Sequence, residues 1–245
     1  MSKRLLSFIA VATALSFSSC TKEKEPDYGP DQSRGYFPLQ KGHFVVYDVD
    51  SVIWNDFDED SSHRHCQVRY NIVDTFRDAQ KRISYQIDIM KRSGESAPWA
   101  PHDVIYATPT VNGLDVVQNN LRFQKLSFPA WNNKTWKGNS QIAVADQDLM
   151  YFADWDYRYS HIGESYNNSR VNFENSIIVD QVDYKLNDPV TAPNVYAERT
   201  YGREVYGLSV GMIYREAVRW TYDQNSQGHY ARKGWEVIMR AVDHN

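Results

Sequence analysis

The sequence predicts an all-β protein: a curled antiparallel sheet, either an open or partly closed barrel or a sandwich, with few or no helices. Three observations predict it. Apolar residues recur at every second position through most of the chain. The links between such runs are too short for the crossover that parallel pairing needs. Aromatic residues, which favour strands, make up 14% of the chain.

The N-terminus comes first in the chain and sets the address. It reads MSKR, then the apolar run LLSFIAVATALSF, then SSC. This is the layout of a secretory signal peptide over residues 1–19. The apolar run is shorter than the ~20 residues a membrane span needs. Cys20 falls at the cleavage position, behind the small residues Ser18 and Ser19. The segment resembles a bacterial lipobox, with Phe17 where Leu is more usual. The resemblance implies that Cys20 is lipidated and becomes the new N-terminus. An ordinary signal with a chance cysteine is the alternative. Acyl chains such as palmitate contribute about 0.8 kcal/mol per buried CH₂, so two or more anchor a protein stably.

Residues 20–35, CTKEKEPDYGPDQSRG, are polar and rich in Pro and Gly, and read as a flexible tether. Thr21 follows the cysteine, so the aspartate of inner-membrane retention is absent. The KEKE run resembles the charged export signal of Bacteroidetes-type surface lipoproteins, interrupted by Lys24. The expected location is therefore the outer membrane, facing the cell surface, with the periplasmic face as the alternative.

Removal of residues 1–19 leaves 25 basic against 31 acidic residues, net −6. The basic residues are scattered, which argues against nucleic acid and against anionic headgroups as partners. Once Cys20 carries lipid, Cys66 is the remaining cysteine, so neither an internal disulfide nor a multi-cysteine zinc site is possible. Residues 36–245 have enough length for one sizeable core, and no second linker or internal repeat divides them.

Within that domain HFVVYDVDSVIW places Val45, Tyr47, Val49 and Ile53 on one face. CQVRYNIVDTF alternates Cys66, Val68, Tyr70, Ile72 and Phe76 with polar residues. After the short link RDAQK, the residues Ile83, Tyr85, Ile87 and Ile89 repeat the pattern, so these two runs form an antiparallel hairpin. Further strands are predicted at 103–107, 114–118, 121–128, 141–145, 155–160, 176–184, 196–206, 211–222 and 234–242. Residues 196–206 suit either periodicity and are read as strand. Met212, Tyr214, Val218, Trp220 and Tyr222 facing Trp235, Val237, Met239 and Ala241 read as a terminal hairpin around QNSQG. Gly207 and Gly211 bracket a point where the chain bends or bulges.

The stretches GYFPLQKGHFVVYDVDSVIWNDF, YGREVYGLSVGMIYREAVRW and RKGWEVIMRAVDHN resemble the two ends of a group of uncharacterised Bacteroidetes-type outer-membrane lipoproteins. The similarity runs from about residue 35 to 245 and is specific at both ends. It implies an all-β lipoprotein. It implies no activity, so no functional residue is carried over.

Candidate chemistry is sparse. Asp56, Asp58 and Asp60 have calcium-loop spacing, but Ser61 and Gln67 stand where glycine and glutamate are required. His63 and His65 would share one strand face without a nameable third ligand, so no metal is assigned. The G-x-S-x-G letters at Gly207–Gly211 lie between two strand-forming runs and so make no nucleophile elbow, there is no H-E-x-x-H and no phosphate loop, and Cys66 lies in an apolar alternation, so a non-catalytic protein without a cofactor is expected. WDYRYSH sets Trp155, Tyr157 and Tyr159 on one face, a pattern suited to stacking sugar rings and equally to a β core. The expected function is binding, either of a glycan or of an envelope protein partner. A periplasm-facing carrier or chaperone for lipid is the alternative, and a structural envelope protein a further one.

Overall fold

The computed structural model describes residues 33–57 and 59–245. Cys20, the signal segment and the tether up to residue 32 lie outside the described residues, as does Asp58. Twelve antiparallel strands form one sheet. They are β1 (Phe44–Asn55), β2 (Asp60–Arg77), β3 (Ile83–Arg92), β4 (Ala100–Pro109), β5 (Gly113–Gln118), β6 (Leu121–Ser127), β7 (Thr135–Trp136), β8 (Tyr157–Asn167), β9 (Asn172–Leu186), β10 (Ala197–Gly207), β11 (Gly211–Gln224) and β12 (Tyr230–His244). Two short 3₁₀ segments, Ser33–Tyr36 and Gln147–Phe152, accompany them.

The strand order is β6-β5-β4-β3-β2-β1-β12-β11-β10-β9-β8-β7. Two six-stranded meanders are thus joined where the first strand pairs with the last. The C-terminus secures that joint, because the Phe44 N–H donates to Asn245 Oδ1 at 2.8 Å. The outer strands β6 and β7 curl towards one another. The Gln124 N–H donates to the Gly138 carbonyl at 2.8 Å, and Trp136 Nε1–H donates to the Gln124 carbonyl at 2.8 Å. The sheet is therefore a nearly closed barrel, which leaves little strand edge unpaired.

The alternating apolar faces of the strands fill the barrel interior, including Tyr47, Val68, Ile72, Ile87, Ile105, Leu114 and Val179. Each such side chain contributes roughly 1.5–3 kcal/mol on burial. The wall's outside carries charged ladders. On β1, β2 and β12, Asp50 accepts from Arg240 at 2.8 Å and pairs with His65 at 2.9 Å. Ser33–Gly35, which composition places in the tether, already belong to the folded body: the Ala130 N–H donates to Ser33 Oγ at 2.7 Å, and Arg34 donates to the carbonyls of Thr110 and Val111.

Local departures from the expected pattern have identifiable causes. Residues 141–145 form turns rather than a strand, with Ile142 buried. Residues 197–207 are strand, the periodicity that 196–206 left ambiguous. Gly207 and Gly211 pair across a tight hairpin turn, and Gly211 takes φ +100° there. Register shifts reassign two faces. Between Ile72 and Asp74 the pairing skips Val73, and Phe76 ends outside, 41% exposed and edge-on to Tyr106. Between Met212 and Tyr214 it skips Ile213. Met212 lies in the lumen, while Val218, Trp220 and Tyr222 pack on the far side with Ala197 and Trp54. A bulge adds one residue to one strand and so inverts every side chain beyond it.

Candidate functional site: a divided lumen

A buried ion network crosses the lumen at mid-height. Lys125 arrives from β6, Glu204 and Tyr206 from β10, and Arg215 from β11, where it is the direct cross-strand neighbour of Glu204. Lys125 Nζ lies 2.6 Å from Glu204 Oε1, and the Tyr206 hydroxyl donates to Glu204 Oε2 at 2.6 Å. Arg215 Nε stands 3.8 Å from Oε1. Glu204 is 1% exposed. Burial pushes its carboxyl up, but the Lys125 and Arg215 charges and the bonds from Lys125 and Tyr206 outweigh it and hold the group below its ordinary range. Burial draws Lys125 down, and the Glu204 charge offsets part of that. Burial, with the Glu204 charge behind it, pushes the Tyr206 phenol well up, so it is a firm proton donor.

Such a network is costly to desolvate and is rarely the most stabilising way to fill a core. Here it divides the lumen into two chambers. The upper one is walled by Val45, Ile72, Ile87, Ile105, Val116 and Met212, and roofed by Phe37 and Pro38. Its cavity volume is ≈ 60 Å³. Tyr47 spans its wall by donating to the Met212 carbonyl at 2.8 Å. The lower chamber, ≈ 180 Å³ by the same measure, lies beneath Tyr151 and Phe152 of the second 3₁₀ segment. It is lined by Phe123, Trp155, Gln181 and Trp235, and shares Lys125 and Arg215 with the upper chamber.

Trp155, Tyr157 and Tyr159 do fall together on one face, and that face is the barrel interior. Both tyrosine rings are fully buried, at 0% exposure. Tyr157 donates to Asn139 Oδ1 at 2.9 Å, and Tyr159 reaches across to β6. Trp155 is half-buried, with its Nε1–H donating to the Tyr151 carbonyl at 2.6 Å and its ring lining the lower chamber. The trio thus forms wall and core rather than an open platform. His63 and His65 lie on the outer face, where Asp50 pairs with His65. Among the described residues no group of three or more His, Cys, Asp or Glu is placed to hold a metal. Asp56 pairs with Lys233 at 3.3 Å and Glu59 with His229 at 2.7 Å, stapling two neighbouring hairpin turns. Cys66 packs against the core, and burial pushes its thiol up.

Lys125, Glu204, Arg215 and Gln181 were not singled out from the sequence. A signal exists for two of them. In LRFQKLS, Lys125 is in phase with Leu121 and Phe123. In YGREVYG, Glu204 is in phase with Gly202 and Tyr206. Opposite charges standing on two apolar faces are the sequence mark of an internal ion pair.

Fold and site together define a nearly closed twelve-stranded barrel whose interior holds two chambers with a buried ion network between them. No family model matches the chain, and no curated protein matches it. Among solved structures it is similar to a crystal structure from Bacteroides fragilis called an exported protein with a YmcC-like fold. The identity is 10% and the TM-score 0.38, with 85% of this chain and 98% of that chain covered. Among the described residues no helix is long and apolar enough to cross a membrane.

Proposed function

We propose that this chain is a lipid-anchored lipoprotein of the outer membrane, held by Cys20, whose barrel binds a short acyl segment in its upper chamber without transforming it. The reading places it with the Bacteroidetes-type lipoproteins that its two ends resemble. The observation that carries it is the upper chamber itself: a mostly apolar wall of aliphatic and aromatic side chains, closed below by the Lys125–Glu204–Arg215 network. An apolar tail entering it leaves water at about 25 cal/mol per Å². The volume limits the guest, since one water needs roughly 10–15 Å³ of such space. Several methylenes fit; a whole phospholipid does not.

The test uses the full chain carrying Cys20→Ala, which removes covalent acyl groups. Solvent extraction and mass spectrometry should recover an acyl-bearing molecule, and a fluorescent fatty-acid probe should bind saturably. Val116→Phe, which fills the chamber, should abolish both. Ligand-free protein in repeated preparations, together with no probe binding, overturns the reading. Protease shaving of intact cells, with a periplasmic control protein, decides which way the domain faces.

A further inference from the structure

We propose that the lower chamber is a second, separate binding site, which takes a small carboxylate carried on a flat ring. The first observation is Gln181. Opposite β10, Gly202 pairs with Val182 and Arg203 with Asp180, so Gln181 is the extra residue of a bulge. Bulges turn a side chain away from the regular ladder, and this one turns an amide into the chamber. Gln181 is 5% exposed, its side chain makes no hydrogen bond among the described residues, and its Nε2 is sealed from solvent. A buried donor without an acceptor is expensive to keep. A ligand oxygen would satisfy it.

The second observation is the space beside that amide. A Cβ on Gly202 would lie 2.9 Å from Gln181 Oε1 and 3.4 Å from Trp155 Cζ3. The absent side chain keeps the amide and the indole accessible to the chamber. The third is Arg215. Its one contact with a charged partner is the 3.8 Å approach to Glu204, and it makes no hydrogen bond among the described residues. Arg219 on the same wall is occupied, by Glu198 and Thr200. The chamber's cations are Lys125, Arg215 and Arg219, against the carboxylates Glu204 and Glu198, so one positive charge is left over.

These groups specify the guest. The free Arg215 donors suit a carboxylate, which a guanidinium binds through two parallel N–H bonds. The Gln181 N–H adds a third donor. Phe123, Trp155 and Trp235 line the chamber with aromatic rings against which the body of the ligand would pack. The ≈ 180 Å³ interior is smaller than the sites that hold drug-sized ligands, about 300 Å³ and above, which restricts it to a single ring. An aromatic acid and an acidic sugar share this chemistry.

Titration calorimetry and tryptophan fluorescence on the detergent-solubilised full chain decide the matter, with phenylacetate, glucuronate and neutral phenylacetamide as probes. Saturable binding of either carboxylate, with phenylacetamide at least tenfold weaker, is the expected result. Binding of phenylacetate alone identifies the aromatic acid as the source, and binding of glucuronate alone the sugar. Gln181→Leu should weaken binding at least tenfold, and Gly202→Ala should weaken it too, each with an unchanged circular dichroism spectrum. No saturable binding by either carboxylate, equal binding of the amide, or full affinity in a folded Gln181→Leu overturns the proposal. Val116→Phe, which blocks only the upper chamber, should leave carboxylate binding intact, so failure of the acyl reading and failure of this one are told apart.

Discussion

Tyr159 and Ser127 are hydrogen-bonded to each other twice: the Ser127 N–H donates to the Tyr159 oxygen at 2.7 Å, and the Tyr159 hydroxyl donates to the Ser127 carbonyl at 3.0 Å. One phenol from β8 supplies both partners that a neighbouring strand would have given the end of β6. It therefore holds the barrel closed where the ladder itself is incomplete. Tyr159→Phe keeps the ring and removes both bonds, leaving a buried N–H and C=O unpaired. The expected loss is about 2–4 kcal/mol, read as a fall in the urea midpoint at constant slope. An unchanged midpoint would mean that water replaces the phenol at the seam.

The Lys125–Glu204 pair should behave asymmetrically. Lys125→Met strands a buried carboxylate and is expected to cost roughly 3–5 kcal/mol, whereas the double variant Lys125→Met/Glu204→Gln should recover much of it. A double-mutant cycle on chemical unfolding measures this, and additive losses would contradict it.

Acid should act through the same carboxyl. Its folded value is depressed, against burial, by Lys125 and Arg215. The unfolded chain therefore binds the proton more readily than the folded one. The stabilisation is fully present above the ordinary glutamate value, about 4.3, and is lost as pH falls through the lower folded value. Unfolding midpoints measured from pH 6 downwards should decline below that point, and less steeply in the double variant. Identical profiles would remove Glu204 from the account of acid sensitivity.

Gly234 is fixed by geometry. It takes φ +143°, and a Cβ there would stand 2.1 Å from the Arg219 carbonyl oxygen and 2.6 Å from Trp220 Cα. No flexible side chain can yield, because both obstacles are backbone atoms. Gly234→Ala should strain or break the β11–β12 ladder and cost more than ~1–3 kcal/mol, the usual range for overpacking. Thermal unfolding is sufficient to test this, and a wild-type midpoint would refute it.

Cys66 should be sluggish. Burial raises its thiol, and Asp50 adds to that, against the opposing charge of Lys91. Thiolate is the reactive form. In a Cys20→Ala background, alkylation at neutral pH should be several-fold slower in the folded chain than in urea, followed by mass spectrometry. Equal rates would show that the thiol is freely accessible.

Local pattern was enough to reveal most strands. The alternation of Val45, Tyr47 and Val49, and of Ile83, Tyr85, Ile87 and Ile89, is a direct consequence of a two-residue repeat with one buried face. The short polar links between such runs left antiparallel hairpins as the natural connection. The same reasoning misassigned the faces of Phe76 and of Val218, Trp220 and Tyr222, because a single bulge residue inverts a face without changing the composition of the strand.

What the sequence determined by itself is therefore the all-β class, the antiparallel hairpins and the presence of an aromatic face at Trp155, Tyr157 and Tyr159. Only the tertiary structure decided that this face points inward and that β1 closes on β12. It alone brought Lys125 to Glu204, 79 residues apart, and left Gln181 Nε2 without a hydrogen-bond partner among the described residues. The physical reason is that alternation is written between neighbours along a strand, while a lumen is made by curvature and register, which depend on strands far apart in the chain.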